Sequence, residues 1–158
     1  MLSHFDTISL TSDQTTAIVR IETFLNDNNQ VFILKGYAGS GKTTLLKGIV
    51  EFLASKERKC CLMAPTGRAA KVINQKTKWG AATIHKTIYS FDELQEIEIT
   101  EEDGGKSFKY FYKLRNDSDI YNTVFIVDEA SMLSDKLSEG EFFRFGTGFL
   151  LHDLISVT

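Results

Sequence analysis

One stretch, Gly36-Tyr37-Ala38-Gly39-Ser40-Gly41-Lys42-Thr43, constrains this chain more than any other. It fits the spacing G-x-x-x-x-G-K-[ST], and its flanks give that spacing meaning. Before it lies Val31-Phe32-Ile33-Leu34, a wholly apolar run that predicts a strand covered on both faces. After it, Leu45, Leu46, Ile49, Val50 and Leu53 recur at helical spacing and predict a helix over Lys42–Ser55. Glycines at such a strand-to-helix corner let successive backbone N–H groups curl around an anion, and the helix N-terminus adds positive potential. Gly36, Ala38, Gly39, Ser40 and Gly41, followed by Lys42, Thr43 and Thr44, are therefore expected to line a nucleotide. Lys42 is the point charge for the β- and γ-phosphates, and the Thr43 hydroxyl is a ligand for Mg²⁺. The dinucleotide spacing G-x-G-x-x-G fails, because counted from Gly39 it requires glycine where Thr44 stands.

The same alternation of element types runs through the chain. Thr11 to Leu25 predicts a helix: Thr11 can cap it, Gln14 closes a Thr-x-x-Gln capping box, and Ala17, Ile18, Ile21, Phe24 and Leu25 share one face. Cys60–Met63 and Val124–Val127 are short apolar runs that predict buried strands, and Pro65 and Gly67 turn the chain into a helix around Arg68–Ile73. Strands alternating with helices at these spacings imply parallel strands with helical crossovers, hence an α/β fold with a parallel sheet and flanking helices over residues 1–158. One segment changes period. Between about Leu94 and Arg115, Ile97 and Ile99 alternate with glutamates, and Phe108, Tyr110, Tyr112 and Leu114 alternate with Lys109, Phe111 and Lys113. That two-fold pattern predicts an inserted β-hairpin over about 92–119, turning at Asp103-Gly104-Gly105. Seven acids between Asp92 and Asp103 face bases on the other arm, as in a charge-paired flap.

Charge is uneven. The net value is −3, yet from Lys35 to Lys86 eleven Lys and Arg stand against two Glu, a balance of +9, leaving −12 elsewhere. Such a block fits phosphates of a nucleotide or a nucleic acid; nothing amphipathic and Trp-rich favours a membrane. No apolar run reaches the roughly 18 residues of a membrane span, and the first residues lack a secretory pattern. Cys60 and Cys61 are adjacent and cannot tie distant segments together, so a reducing, cytoplasmic setting is expected.

Val127-Asp128-Glu129 supplies what a phosphate loop needs next, an acid at the carboxyl end of a buried strand. Asp128 is expected in the Mg²⁺ shell, and Glu129 orients and deprotonates a water for attack on the γ-phosphate. With Lys42 they form the expected catalytic set for triphosphate hydrolysis. No Asn-Lys-x-Asp guanine reader is present, which argues against a GTPase, and no Leu-Ser-Gly-Gly-Gln run, which argues against a transporter ATPase.

Taken in order, Leu10-Thr11-Ser12-Asp13-Gln14, Gly36 to Thr44, Ala64-Pro65-Thr66-Gly67-Arg68-Ala69-Ala70, Thr83-Ile84-His85 and Val127-Asp128-Glu129-Ala130-Ser131 resemble the first motor domain of superfamily 1 DNA helicases. The closest likeness is to the RecD-like branch, of the exodeoxyribonuclease V alpha type. The resemblance implies a RecA-like P-loop NTPase domain using ATP and Mg²⁺. It also implies that Gln14 reads the adenine edge, the rival to its capping role, and that Pro65, Thr66, Gly67, Arg68, Thr83, His85 and Lys86 touch single-stranded DNA. Translocation in this branch runs 5′ to 3′, and a β element in the hairpin's position can act as a pin that splits the duplex. Phe108, Tyr110 and Tyr112 have packing as their simpler role. The family continues past the Asp-Glu motif to a Gly-Asp-x-x-Gln sensor and a second motor domain bearing arginines, neither of which lies within 158 residues. The chain therefore reads as half of a longer helicase that binds MgATP and turns over little alone, with nuclease or repair-complex subunits as partners. The rival is a stand-alone module that holds nucleotide or single-stranded DNA without motor activity.

Overall fold

Alternating apolar runs and amphipathic helices assemble as the crossover rule requires. In this computed structural model, β1 (Lys59–Ala64), β2 (Ala81–Thr83) and β5 (Thr123–Val127) form a parallel sheet in the order β2-β1-β5. The structure describes residues 1–6, 9–100, 105–116, 123–138, 140 and 142–158, with side chains at 99 and 100 excepted. Register aligns Met63 of β1 with Ala82 and Val127, and Ala64 with Thr83, so the carboxyl ends of the three strands lie level. Helices α2 (Lys42–Ser55) and α3 (Gly67–Thr77) bury Leu46, Val50, Ala70 and Ile73 with Leu62 and Ala64 of β1. Met63, one residue out of phase, packs instead with Ile84 and Ile88 of α4 (Ile84–Ile88) and Leu154 of α5 (Leu150–Val157). Both faces of β1 are thus covered, which is why its sequence is continuously apolar rather than alternating.

Helix α1 (Ser12–Phe24) buries Ile18 and Ile21 against Leu45, Ile49 and Leu53 of α2. A 3-10 helix, Leu2–Phe5, closes that cluster. Its Phe5 ring sits directly on Gly48, where any Cβ would collide with it. The Met1 ammonium group donates to Glu22 at 2.8 Å and pins the N-terminus.

One expected strand is absent from the sheet. Val31–Leu34 pairs with no strand among the described residues: Phe32 and Leu34, like Val124 and Ile126, pack against the cluster that α1 and α2 form, while Val31 and Ile33 are 60% and 71% exposed. An unbroken apolar run of four cannot distinguish one covered face from two; here one face is covered and alternate residues point to solvent.

The two-fold segment forms β3 (Tyr89–Thr100) and β4 (Lys106–Leu114), paired antiparallel with Leu94 opposite Tyr112 and Glu98 opposite Phe108. Of the expected turn, residues 103 and 104 lie outside the described residues, as do 117–119 at the end of the expected insertion. A third strand that periodicity did not reveal, β6 (Phe143–Phe145), runs parallel to β4. Tyr112 stacks on Phe145 with ring centroids 4.7 Å apart and planes 11° from parallel, and Tyr110 stacks on Phe143 at 5.6 Å. Tyr110 and Tyr112 therefore have the packing role, whereas Phe108 stays 45% exposed.

Candidate nucleotide site and the strand ends around it

The corner at Gly36–Thr43 is shaped almost wholly by backbone. Gly39 and Gly41 take left-handed φ values of 79° and 82°, which side chains rarely tolerate. Gly41 occupies the cap position of α2 and supplies no side-chain acceptor, so the first N–H groups of that helix point outward without an internal cap. Such uncapped donors with aligned peptide dipoles favour an anion. Lys42 lies across this mouth, its Nζ donating to the carbonyls of Gly36 at 2.7 Å and Tyr37 at 3.0 Å. Ser40 N–H closes the turn onto Tyr37 O at 3.2 Å. A Cβ at Gly36 would come within 2.6 Å of Ser40 Oγ, so a side chain there would turn the Ser40 hydroxyl aside.

Gln14 makes both contacts that its position allows. Thr11 N–H donates to its Oε1 at 2.9 Å and Thr11 Oγ1 accepts from its backbone N–H at 3.2 Å, a complete capping box. Its Nε2 donates across to Ser40 O at 3.0 Å. Thr44 is exposed at the start of α2 and Thr43 is half-buried beside it.

At the carboxyl end of the sheet, β5 delivers Asp128 and Glu129 beyond its last residue. Asp128 N–H donates to Met63 O at 3.0 Å, extending the ladder with β1 and fixing the carboxylate at the strand end. Asp128 Oδ1 accepts from Glu129 N–H at 2.9 Å. Glu129 adopts a left-handed φ of 55°, uncommon for a side-chain-bearing residue, and so turns the chain sharply into the 3-10 helix Ala130–Met132. Among the described residues no hydrogen bond or ion pair joins Asp128 or Glu129 to Lys42 or Thr43. Thr43 and Asp128 offer a hydroxyl and a carboxylate, hard oxygen donors of the kind Mg²⁺ takes together with water and phosphate oxygens.

Residues expected to touch DNA sit at the neighbouring strand ends. Pro65 and Thr66 follow β1; Thr66 caps α3 by accepting from Ala69 N–H at 3.2 Å, and Gly67 and Arg68 are exposed in its first turn. Thr83 ends β2 and caps α4 by accepting from Lys86 N–H at 3.2 Å; Lys86 is exposed. Register therefore brings Thr66–Arg68, Thr83–Lys86 and Asp128–Glu129 to one edge of the sheet. His85 differs from its neighbours. Its ring packs between Phe145 at 5.1 Å and Tyr89 at 5.6 Å, and burial holds its imidazole below the usual range.

Behind His85 lies a buried group that no sequence pattern singled out. Asp153, fully buried, accepts from Tyr89 Oη at 2.7 Å, Thr147 Oγ1 at 2.7 Å and Thr147 N–H at 3.0 Å. Burial, and then the adjoining carboxylate, push the Tyr89 phenol far above its ordinary range. Burial likewise raises the thiols of Cys60 and Cys61, both free. No described helix is long and apolar enough to cross a membrane.

The profile of a family described as an AAA domain matches residues 9–140. An uncharacterized protein of Acanthamoeba polyphaga mimivirus is 32% identical over 139 residues, covering 80% of this chain and 28% of that protein. An uncharacterized protein of Methanocaldococcus jannaschii is 41% identical over 81 residues, 48% of this chain and 6% of its own length. The chain thus spans less than a third of these relatives. No solved structure matches it.

Proposed function

We propose, from the premise that this chain belongs to that family of AAA domains and has a P-loop NTPase fold, that it is the ATP-binding first motor domain of a superfamily 1 DNA helicase of the RecD-like branch. The observation that carries the reading is the shared strand edge. Three segments separated in sequence, Thr66–Arg68, Thr83–Lys86 and Asp128–Glu129, end level on β1, β2 and β5. A site that couples hydrolysis to movement along a strand needs its nucleotide acids and its nucleic-acid contacts on one rigid frame.

In this reading, ATP sits on the loop from Gly36 to Thr44, its phosphates on the outward N–H groups of α2. Lys42 Nζ gives up its loop carbonyls for β- and γ-phosphate oxygens, an exchange of neutral acceptors for charged ones. Thr43 and Asp128 would hold Mg²⁺, which when bound would supply neutralisation of phosphate charge. Glu129 accepts the proton of the attacking water. Exposed Arg68 and Lys86 meet backbone phosphates of single-stranded DNA beside Pro65, Thr66, Gly67 and Thr83, while His85 reaches the strand only with the part of its ring left outside its aromatic clamp. A second motor domain of the longer protein completes the ATP site with arginines and makes translocation 5′ to 3′ possible. Nuclease or repair-complex subunits in the cytoplasm are the partners this implies.

Calorimetric titration of the full chain with MgATP and with oligothymidylate tests the assignment. Lys42→Ala is expected to weaken MgATP at least ~100-fold, because a charge-assisted contact to phosphate is lost, and to leave oligothymidylate affinity within about twofold. Unchanged MgATP affinity overturns the phosphate-loop assignment, and absence of oligothymidylate binding in the unaltered chain overturns the DNA reading.

A further inference from the structure

Gln14 has a second task that its capping box does not explain. The carboxamide is bound at both ends: Oε1 accepts from Thr11 N–H at 2.9 Å, and Nε2 donates a hydrogen bond to Ser40 O at 3.0 Å across twenty-six residues of sequence. The partners dictate the orientation, since an N–H needs an acceptor and a carbonyl needs a donor. At the loop end the fit is close. A Cβ on Gly41 would lie 2.5 Å from Gln14 Nε2, so the amide rests against the glycine whose left-handed φ of 82° launches α2. The Ser40 carbonyl it holds belongs to the peptide unit joining Ser40 to Gly41, and rotation of that unit would re-aim the N–H groups at the loop mouth.

We propose that Gln14 is a positioning residue for the phosphate loop, its side-chain amide clasping the Ser40 carbonyl to the capped first turn of α1 and so holding the loop in its anion-receiving shape. This inference rests on the nucleotide reading above and deepens it. A base reader discriminates among nucleotides; a clasp on the loop acts on phosphate and is indifferent to the base. The two roles make opposite predictions for ligands that share phosphates and differ in the base.

The decisive variant is Gln14→Glu. Glutamate at this position keeps the acceptor for Thr11 N–H, and with it the capping box, but offers Ser40 O a second oxygen in place of a donor. Gln14→Met, which carries no charge, separates loss of the clasp from repulsion between a new carboxylate and phosphate. Each full-length chain is titrated with ATP, GTP and inorganic tripolyphosphate in Mg²⁺, and amide hydrogen exchange is followed without ligand. Expected is a parallel weakening of all three ligands by about 3- to 10-fold in both variants, the loss of a single hydrogen bond. Exchange at Ser40–Thr43 should quicken severalfold in both, while in Gln14→Glu the amides of α1 keep their protection. Weakening of ATP alone, recovery of affinity in Gln14→Met, or unchanged exchange at Ser40–Thr43 overturns the clasp. Should the unaltered chain bind none of the three ligands, the nucleotide reading falls, and exchange at the loop still decides whether the clasp exists.

Discussion

The phosphate loop and the aromatic sheet are held in shape by opposite means. Around Gly36–Thr43 the partners are carbonyls and N–H groups within a few residues, assisted by Lys42 and Gln14, and the surface is open, with Tyr37 93% exposed. Around Tyr89 the partners are mostly side chains: rings from three strands pack on one another, and Asp153 takes three hydrogen bonds while fully buried. The first arrangement leaves donors available to a ligand. The second satisfies its donors internally and provides a stiff mount for what sits on it. A region meant to receive an anion and a region meant to hold position are thereby distinguished by where their hydrogen bonds end.

The strongest way to break this comparison is Asp153→Ala. It strands the Tyr89 hydroxyl and both Thr147 donors in a buried site, and is expected to cost about 3–4 kcal/mol by urea denaturation. If the two regions are independent in function, the folded variant should still bind MgATP within about twofold of the unaltered chain. A collapse of affinity at temperatures where the variant remains folded would show that the aromatic region shapes the loop.

Gly48→Ala attacks the other half from behind, on the helix that carries the loop. The new Cβ drives into the ring of Phe5, itself 2% exposed and hemmed in by Met1, Ile18 and Ile49. Overpacking of about 1–3 kcal/mol is offset in part by the better helix propensity of alanine, leaving a net loss of about 1–2 kcal/mol in the same denaturation experiment. A stabilised variant would mean that Phe5 moves aside freely and that the N-terminal 3-10 helix is not a fixed part of the core.

The same contrast governs what could be read from residues alone. Gly39, Gly41 and Lys42 are legible because backbone conformation demands them at fixed offsets, and the capping box at Thr11 and Gln14 is legible because its partners are three residues apart. Helix α2 follows from a run long enough to carry a period, and strands β1 and β5 from short apolar runs in a chain of alternating element types. Val31–Leu34 misleads for the converse reason: hydrophobicity alone does not say how many neighbours a segment has. Strand β6 is three residues long, and the Tyr89–Asp153 bond spans 64 positions, so neither leaves a local pattern. The bond from Gln14 to Ser40 is of that kind too, a long-range contact hidden behind a local motif that already accounts for the residue.

His85 ties the aromatic region to the strand ends, since it lies in the segment at the end of β2 and is clamped between Tyr89 and Phe145. Burial lowers its imidazole, so the folded chain resists a proton that the unfolded chain accepts near pH ~6.5. The stability that this neutral histidine contributes is complete above that pH and is lost as pH falls through and below it. His85→Phe keeps a ring in the clamp and removes the titration. Between pH 7.5 and 5.5 the melting temperature of the unaltered chain should therefore fall further than that of His85→Phe, by a difference on the order of one degree, the smallest effect of the three. Equal falls would place the imidazole outside the clamp in solution. His85 would then be as available to a bound strand as exposed Lys86 beside it.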